Sequence, residues 1–197
     1  WVNKNGKPVW IRCRGKILPN ENPNVKILIG EVSIVTDEDK TDLLTGLATE
    51  SQLRIDYGSV WTKKQNVSGF LLKIDIDNLG AINEQYGVMT GDVIVSKVGD
   101  CCRKVCSGIA KAYKLSSDEF VCLNLTGKSA LVAQKMYENL RREISEAEHG
   151  LGYDIIFTVS GGMVAFMNDP TQLDGLLRKV NFSIGAAKRN GRNNLVT

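Results

Sequence analysis

The run Phe70-Leu71-Leu72-Lys73-Ile74-Asp75-Ile76-Asp77 constrains the fold more than any other stretch of the chain. Continuous apolar character of this length belongs to a strand covered on both faces, which places it inside a sheet. The run then ends abruptly in alternating acids, and open α/β sheets commonly place ligands at the carboxyl ends of such strands. A second stretch points the same way. Residues 110–115 and 120–123 are apolar-rich runs around the polar tip Ser116-Ser117-Asp118-Glu119, a β-hairpin pattern. Two adjacent carboxylates at a hairpin tip repel each other and serve no folding purpose there. A hard divalent cation such as Mg²⁺ would relieve that repulsion. An isolated Ser-Ser-Asp-Glu is more simply a solvated acidic turn, so the weight rests on the remaining chain.

A helical pattern over about 49–64 carries Leu53, Tyr57, Val60 and Trp61 at three- and four-residue spacing, a buried stripe. Helices over about 79–86 and 90–107 separate the acidic strand from the hairpin. A helix over about 128–147 follows, with Leu131, Met136, Leu140 and Ile144 on its apolar face. A strand over 155–165, a helix over about 171–189 and a short strand at Leu195-Val196 complete the order. The sequence β-α-α-β-β-α-β-α-β predicts an α+β sandwich. The crossover rule sets the first strand beside the hairpin, which would bring Asp75 and Asp77 near Asp118 and Glu119. Carboxylates converging from adjacent strands are what two-metal phosphoryl transfer requires.

Composition narrows the class. The 43% apolar and 24% charged content of this 197-residue chain suits a globular protein with a buried core. A net charge of +3 gives no argument for nucleic acid or an anionic membrane. No apolar run reaches the roughly 18 residues of a membrane helix, and no signal peptide is visible. The chain begins at Trp1, which reads as a fragment whose upstream part can still hold a membrane anchor. Cys13, Cys101, Cys102, Cys106 and Cys122 have no zinc spacing, and their odd number argues against a disulfide framework. Cys102 and Cys106 read as small core residues. The expected setting is reducing and cytoplasmic.

Residues 1–35 are strand-rich, with runs at 9–14 and 25–35 and turn chemistry at 3–7 and 19–23. So short a segment cannot readily build its own core, and it reads as the tail of a larger β-rich domain. The pattern Trp1, Asn5-Gly6-Lys7, Trp10-Ile11, Arg14-Gly15 and Leu28-Ile29-Gly30 resembles the C-terminal part of a PAS sensor domain. Residues 36–40 form a short charged linker.

From residue 41 onward five ordered motifs resemble a second family. They are Asp42-Leu43-Leu44-Thr45-Gly46-Leu47; Asp75-Ile76-Asp77-Asn78-Leu79 with Asn83-Glu84, Gly87 and Gly91-Asp92; Ser116-Ser117-Asp118-Glu119-Phe120; Thr158-Val159-Ser160-Gly161-Gly162; and Lys188-Arg189-Asn190-Gly191-Arg192-Asn193. Together they resemble the GGDEF domain of diguanylate cyclases over residues 41–197. The resemblance implies a ferredoxin-like, polymerase-palm-like sandwich with a mostly antiparallel central sheet flanked by helices. It also implies a homodimer that joins two GTP molecules into cyclic di-GMP with Mg²⁺ or Mn²⁺. By the same resemblance Asp75, the Ile76 carbonyl, Asp118 and Glu119 are the metal ligands, and Asp118 activates the attacking 3′-hydroxyl. Glu119 is the neighbouring acid, associated with the second metal. Asn83 and Asp92 read the guanine edge, Ser117 lies where the phosphate approaches, and Lys188 and Arg192 grip the triphosphate. At i,i+4 spacing those two cations would share a helix face. The simpler alternatives are a surface Asn83, a helix-capping Asp92 and a solvated C-terminal turn.

Departures from the family pattern are selective. Ser116 and Ser117 stand where the signature has glycines, and a serine there costs about 1–2 kcal/mol if the turn needs the left-handed region. Gly80 replaces a phosphate-contacting lysine, and Val88 a histidine. Thr49-Glu50 stands for Asn-Arg, the tyrosine expected near Gly185 is absent, and Ser107-Gly108-Ile109-Ala110 carries no Arg-x-x-Asp inhibitory site. Metal carboxylates and guanine-reading residues remain. Binding tolerates small displacements that in-line chemistry does not, so the expected function is a degenerate, regulatory GTP/Mg-binding domain with weak or no cyclase activity. The alternatives are an active cyclase under sensor control and a dimerisation module without nucleotide.

Overall fold

Alternation along β4 (Ser68–Ile76) sets the architecture. Phe70, Leu72, Ile74 and Ile76 enter one apolar cluster, and Leu71 enters another on the opposite side. A strand buried on both faces has to be central, and β4 is flanked by antiparallel neighbours on both edges. The computed structural model describes residues 2, 4, 9, 11–18, 27–34, 40–62, 67–148, 155–167 and 172–197. Trp1, Trp10, the turn segment 19–23 and linker residues 36–39 lie outside the described residues, as does the side chain of Trp61. The chain divides into two units, Trp1–Lys40 and Thr41–Thr197.

In the first unit, β1 (Ile11–Leu18) and β2 (Ile27–Ile34) form an antiparallel ribbon with Ile11 opposite Ile34 and Leu18 opposite Ile27. The first strand extends past Gly15, beyond the run expected from sequence.

The second unit contains β3 (Ala48–Thr49), α1 (Glu50–Thr62), β4, α2 (Leu79–Tyr86), α3 (Val88–Cys106), β5 (Lys111–Lys114), β6 (Glu119–Asn124), α4 (Ala130–Glu148), β7 (Val159–Met167), α5 (Leu173–Arg189) and β8 (Leu195–Val196). The strand order β3-β5-β6-β4-β7-β8 makes a six-stranded sheet, antiparallel at its centre and parallel at both outer pairs. Helices α2, α3 and α4 cover one face through Leu79, Ile82, Ile94, Val98, Met136 and Leu140. Helices α1 and α5 cover the other through Leu53, Tyr57, Leu176 and Val180. This is the helix-flanked α+β sandwich that the element order predicts.

The hairpin meets β4 through its second strand. β6 lies between β4 and β5, so the α2–α3 crossover lands one strand away and the returning strand fills the space. Two other expectations change. Leu131 is 58% exposed, and the apolar stripe of α4 begins instead at Ala133 and continues through Met136, Tyr137, Leu140 and Ile144. The last long strand starts at Val159, since residues 155–158 precede it without regular structure.

Close packing fixes how α5 sits. A Cβ on Gly162 would lie 2.5 Å from the Val180 carbonyl oxygen, so only glycine lets this helix approach β7 so closely. Gly99 does the same for the loop before β3, where a Cβ would meet Thr45 at 2.9 Å. Asp42 holds that loop by accepting from the Thr45 amide at 2.8 Å and its hydroxyl at 2.6 Å. Among the described residues no helix is long and apolar enough to cross a membrane.

Candidate functional site

Lys73 and Asp75 are two residues apart on β4 and therefore share the face covered by α5. Asp75 pairs directly across the sheet with Glu119, the first residue of β6. Asp118 precedes it at the hairpin tip, and its carbonyl accepts from the Ile76 amide at 3.0 Å. Three acids and the Ile76 backbone are thereby gathered at one end of the two central strands.

Like charges placed opposite each other destabilise a sheet, and this chain answers with its own cations. Lys188 of α5 brings Nζ to 2.7 Å from Asp75 Oδ1. That oxygen is buried and no donor is aligned on it as a hydrogen bond, so the contact is an ion pair. Burial pushes the Asp75 carboxyl above its ordinary value; Lys188 opposes the rise, and the charges of Asp118 and Glu119 add to it. Glu119 Oε1 accepts from Lys73 Nζ at 2.5 Å, and Lys73 also donates to Asn181 Oδ1 of α5 at 2.6 Å. Lys73 is only 4% exposed.

The serine tip turns inward chemically. Ser116 Oγ donates to Glu119 Oε2 at 3.0 Å, and Ser117 Oγ to Asp118 Oδ1 at 3.1 Å. Buried Lys114 holds the turn from below, donating to the carbonyls of Ser116 and Ser117 with its ammonium 4.3 Å from the Phe120 ring centre. Burial pushes the Lys114 ammonium below the ordinary lysine value, while Asp42 and Asp118 oppose the shift. Neither serine has a positive φ; among the described non-glycine residues only Asn78, Arg192 and Asn193 do. The strain expected at Ser116 and Ser117 is therefore absent, because this turn avoids the left-handed region.

Asp77 departs from expectation. It is 2% exposed and belongs to the β7 side, accepting from Thr158 Oγ1 at 2.7 Å, Ser160 Oγ at 2.7 Å and the Asn193 amide at 3.2 Å. Its carboxylate ties the C-terminal turn to the sheet and does not join the other three acids. Arg192 also moves. Helix α5 ends at Arg189, Gly191 takes φ 97°, and the Arg192 amide bonds to the Ala187 carbonyl at 3.0 Å. That is a glycine-terminated Schellman end, so Lys188 and Arg192 do not share a helix face.

Asn83 sits on α2 with Oδ1 buried and without a hydrogen-bond partner among the described residues. Its amide rests against Gly91, where any Cβ would fall 1.8 Å from Oδ1. Asn83 is half-buried, with its amide oxygen packed against α3 and away from solvent. Exposed Asp92 lies within α3, whose N-cap is Gly87, so it does not cap the helix. At Gly80 the space for a side chain is open.

Mg²⁺ is usually held by one or two carboxylates plus substrate phosphates and water, without an all-protein cage. Among the described residues no group of three His, Cys, Asp or Glu side chains forms a ready-made metal cage. Asp75 and Asp118 offer carboxylates beside the Ile76 backbone, so the donor set fits a cation that arrives with phosphate.

Sequence reasoning missed Lys73, Lys114 and Asn181. A lone lysine inside an apolar strand, two residues before a candidate ligand, was the available signal for Lys73.

The sequence model of the family described as "Diguanylate cyclase, GGDEF domain" matches residues 39–194. The chain belongs to this family. Among curated relatives of this GGDEF domain, Diguanylate cyclase A of Treponema denticola is 28% identical over 134 residues, 66% of this chain and 35% of the relative. Diguanylate cyclase VdcA of Vibrio cholerae is 27% identical over 159 residues, 79% of this chain and 46% of the relative. The chain thus spans less than half the length of either relative. The GGDEF domain of DgcB from Caulobacter crescentus, solved with c-di-GMP, superposes with a TM-score of 0.69 at 22% identity, covering 80% of this chain and 94% of that one. Diguanylate cyclase SiaD from Pseudomonas aeruginosa, solved with its activator SiaC, gives 0.71 at 19% identity, covering 81% and 62%. The family assignment and the GGDEF fold are therefore established, and the GGDEF domains of c-di-GMP signalling supply the functional frame.

Proposed function

We propose that residues 41–197 bind GTP, or a related guanine nucleotide, with Mg²⁺ or Mn²⁺, and act as a regulatory module in cyclic di-GMP signalling with weak or no cyclase activity. The observation that carries this reading is the register pairing of Asp75 with Glu119 beside Asp118, with Lys188 2.7 Å from Asp75. Asp75, the Ile76 carbonyl and the hairpin acids Asp118 and Glu119 are the residues that would hold the cation. When bound, such a cation neutralises the triphosphate. Lys188, which pairs with Asp75 here, would with Arg192 take the phosphates. Asn83 and Asp92 take the guanine edge, which the buried, unpartnered Asn83 Oδ1 supports.

Weak chemistry follows from the tip and from Gly80. The Ser116 and Ser117 hydroxyls occupy carboxylate oxygens that in-line attack needs free, and the side chains add bulk where Ser117 meets a phosphate. At Gly80 a cation is missing. Proton removal from a 3′-hydroxyl would fall to Asp118. The unstrained serine turn favours a second reading, an active diguanylate cyclase under sensor control, because the altered signature keeps its backbone without distortion.

The proposal extends to residues 1–35 as the C-terminal part of a PAS-like sensor, 36–40 as linker, a homodimeric assembly and a cytoplasmic setting. Incubation with GTP and Mg²⁺ or Mn²⁺ at high protein concentration, followed by mass detection of cyclic di-GMP, tests it. The expected result is nucleotide binding with little or no product. Robust product that Asp118→Ala abolishes would make the chain a cyclase. Absence of any nucleotide binding would leave a dimerisation module.

A further inference from the structure

The C-terminal half of α4 borders a cavity of about 410 Å³ that the chemistry assigned above leaves unused. Small-molecule sites span about 300–1,000 Å³, so the space suits a ligand of modest size. Glu138, Arg141, Arg142 and Ser145 reach it from one stripe of α4, three and four residues apart. Residues 156–159 and Asn193 of the C-terminal turn form the other side.

Both arginines keep donors in hand. Arg141 uses Nε, which donates to Asn193 Oδ1 at 2.8 Å. Arg142 uses Nη2, which donates to Asn139 Oδ1 at 3.1 Å. A guanidinium carries more N–H groups than either bond takes, and among the described residues neither arginine pairs with an acid. Because Arg141 occupies Asn193 Oδ1, the Asn193 Nδ2 group is left as a further donor. Cations often offset the dipole at the end of a helix, but that effect fades within the last turn. Helix α4 ends at Glu148, which places both arginines before its last turn.

The wall opposite α4 is held in advance. The Asn193 amide and the Thr158 hydroxyl both donate to Asp77 Oδ2, at 3.2 and 2.7 Å. Arg192 and Asn193 take φ 63° and 49°, a region that arginine in particular avoids. Such strain persists only where neighbouring bonds hold it, and it gathers at ligand clamps. A donor set ordered before binding costs less entropy when a ligand arrives.

Guanidinium forks match phosphate oxygens in pairs. Exposed Glu138 supplies an acceptor at the same cavity. We propose that this cavity is a second anion site, which takes a phosphorylated small molecule with its phosphate on Arg141, Arg142 and Asn193 and hydroxyls of its body toward Glu138. Asp75, Asp118 and Lys188 line no part of it. The inference therefore stands whether or not residues 41–197 bind GTP.

The test titrates the ¹⁵N-labelled chain with ribose 5-phosphate and follows assigned backbone and side-chain resonances by NMR, with ribose and inorganic phosphate as comparison probes. Saturable shifts are expected at Arg141 Nε, Asn193 Nδ2 and the Thr158 amide, with weaker binding of inorganic phosphate and none of ribose. Arg142→Gln leaves the Arg141–Asn193 bond in place and is expected to weaken binding about tenfold, as loss of a charge-assisted bond implies. Absence of saturable shifts on the unaltered chain overturns the inference, and that measurement needs no variant. Shifts confined to Asp75, Asp118 and Lys188 place the probe in the nucleotide site and overturn it too. So does undiminished binding by Arg142→Gln, or binding of ribose as tight as that of its phosphate. Inorganic phosphate binding as tightly as ribose 5-phosphate overturns the assignment of an organic body.

Discussion

Ser116 and Ser117 change the chemistry of the tip more than its shape. Both sit at negative φ with hydroxyls bonded to Asp118 and Glu119. Replacing both with glycine removes those bonds and adds freedom to the unfolded chain, at roughly 0.5–1 kcal/mol per site. The double variant Ser116→Gly/Ser117→Gly should therefore melt lower than the parent in calorimetry; a higher melting temperature would show that the serine turn is strained. Gly80 offers the reverse experiment. A lysine fits, since nothing lies within 4 Å of its Cβ position. Removing a helical glycine gains about 0.5–1 kcal/mol, and a cation near the α2 N-terminus loses about 0.3–1 kcal/mol, so stability should stay nearly level. Nucleotide affinity should rise about tenfold, as a charge-assisted bond of about 1.5 kcal/mol implies. Unchanged affinity in isothermal titration would remove position 80 from the phosphate site.

At the scale of elements, packing of α5 against β7 decides whether the site assembles. Gly162→Ala would press a methyl to 2.5 Å from the Val180 carbonyl. A loss of about 1–3 kcal/mol is expected, together with weaker nucleotide binding because Asn181 and Lys188 ride on the displaced helix. Asp56 anchors the other helix of that face, accepting from Lys111 at 2.6 Å, Tyr113 at 2.8 Å and Gln52 at 2.6 Å. Burial alone would raise its carboxyl, but these bonds outweigh it and hold it below the ordinary value. A depressed folded value means stability that is present above the unfolded value, about 3.9, and lost as pH falls through the folded one. Asp56→Asn should lower the melting temperature at pH 7, and the gap from the parent should close below about pH 4. A gap that persists undiminished at pH 3 would show that the charge contributes nothing.

Those same elements show what sequence can carry. β4, α2 and α5 are legible because a doubly buried strand, apolar periods and flanking glycines announce themselves over several residues. The two-residue β3 has too little length for any period, and its place depends on parallel pairing with Tyr113 and Lys114. Asp75, Asp118 and Glu119 converge as their strand-end positions suggest. Asp77 does not, because Thr158 just before β7 and Ser160 within it capture it, and Arg192 leaves its expected face because Gly191 ends the helix. Such outcomes depend on which strand becomes the neighbour and where a helix stops, and local pattern encodes neither. Lys73 is hidden for the same reason: its partner Glu119 is 46 residues away and reaches it only through the β4–β6 pairing.

For the domain as a whole, the site joins the two central strands, the hairpin tip and α5, so a ligand there clamps parts that unfolding must separate. Lys188 is the movable piece. It pairs with Asp75 at 2.7 Å and is partly solvated, and under the proposed function it would follow phosphate once a cation takes that carboxylate. Nucleotide and cation should consequently stabilise only together, since nucleotide alone meets three acids and cation alone lacks phosphate ligands. At a free concentration about 100 times the dissociation constant, GTP with Mg²⁺ should add about 2.7 kcal/mol. With a domain of this size shifting about 2–4 °C per kcal/mol, the melting temperature should rise by about 5–10 °C. GTP with chelator should give little shift. Lys188→Ala should lose most of the combined effect while keeping the empty domain folded, because the lysine is partly solvated and its partner Asp75 can take up a proton. An undiminished shift in that variant would mean that Lys188 serves only to neutralise Asp75 and never reaches the nucleotide.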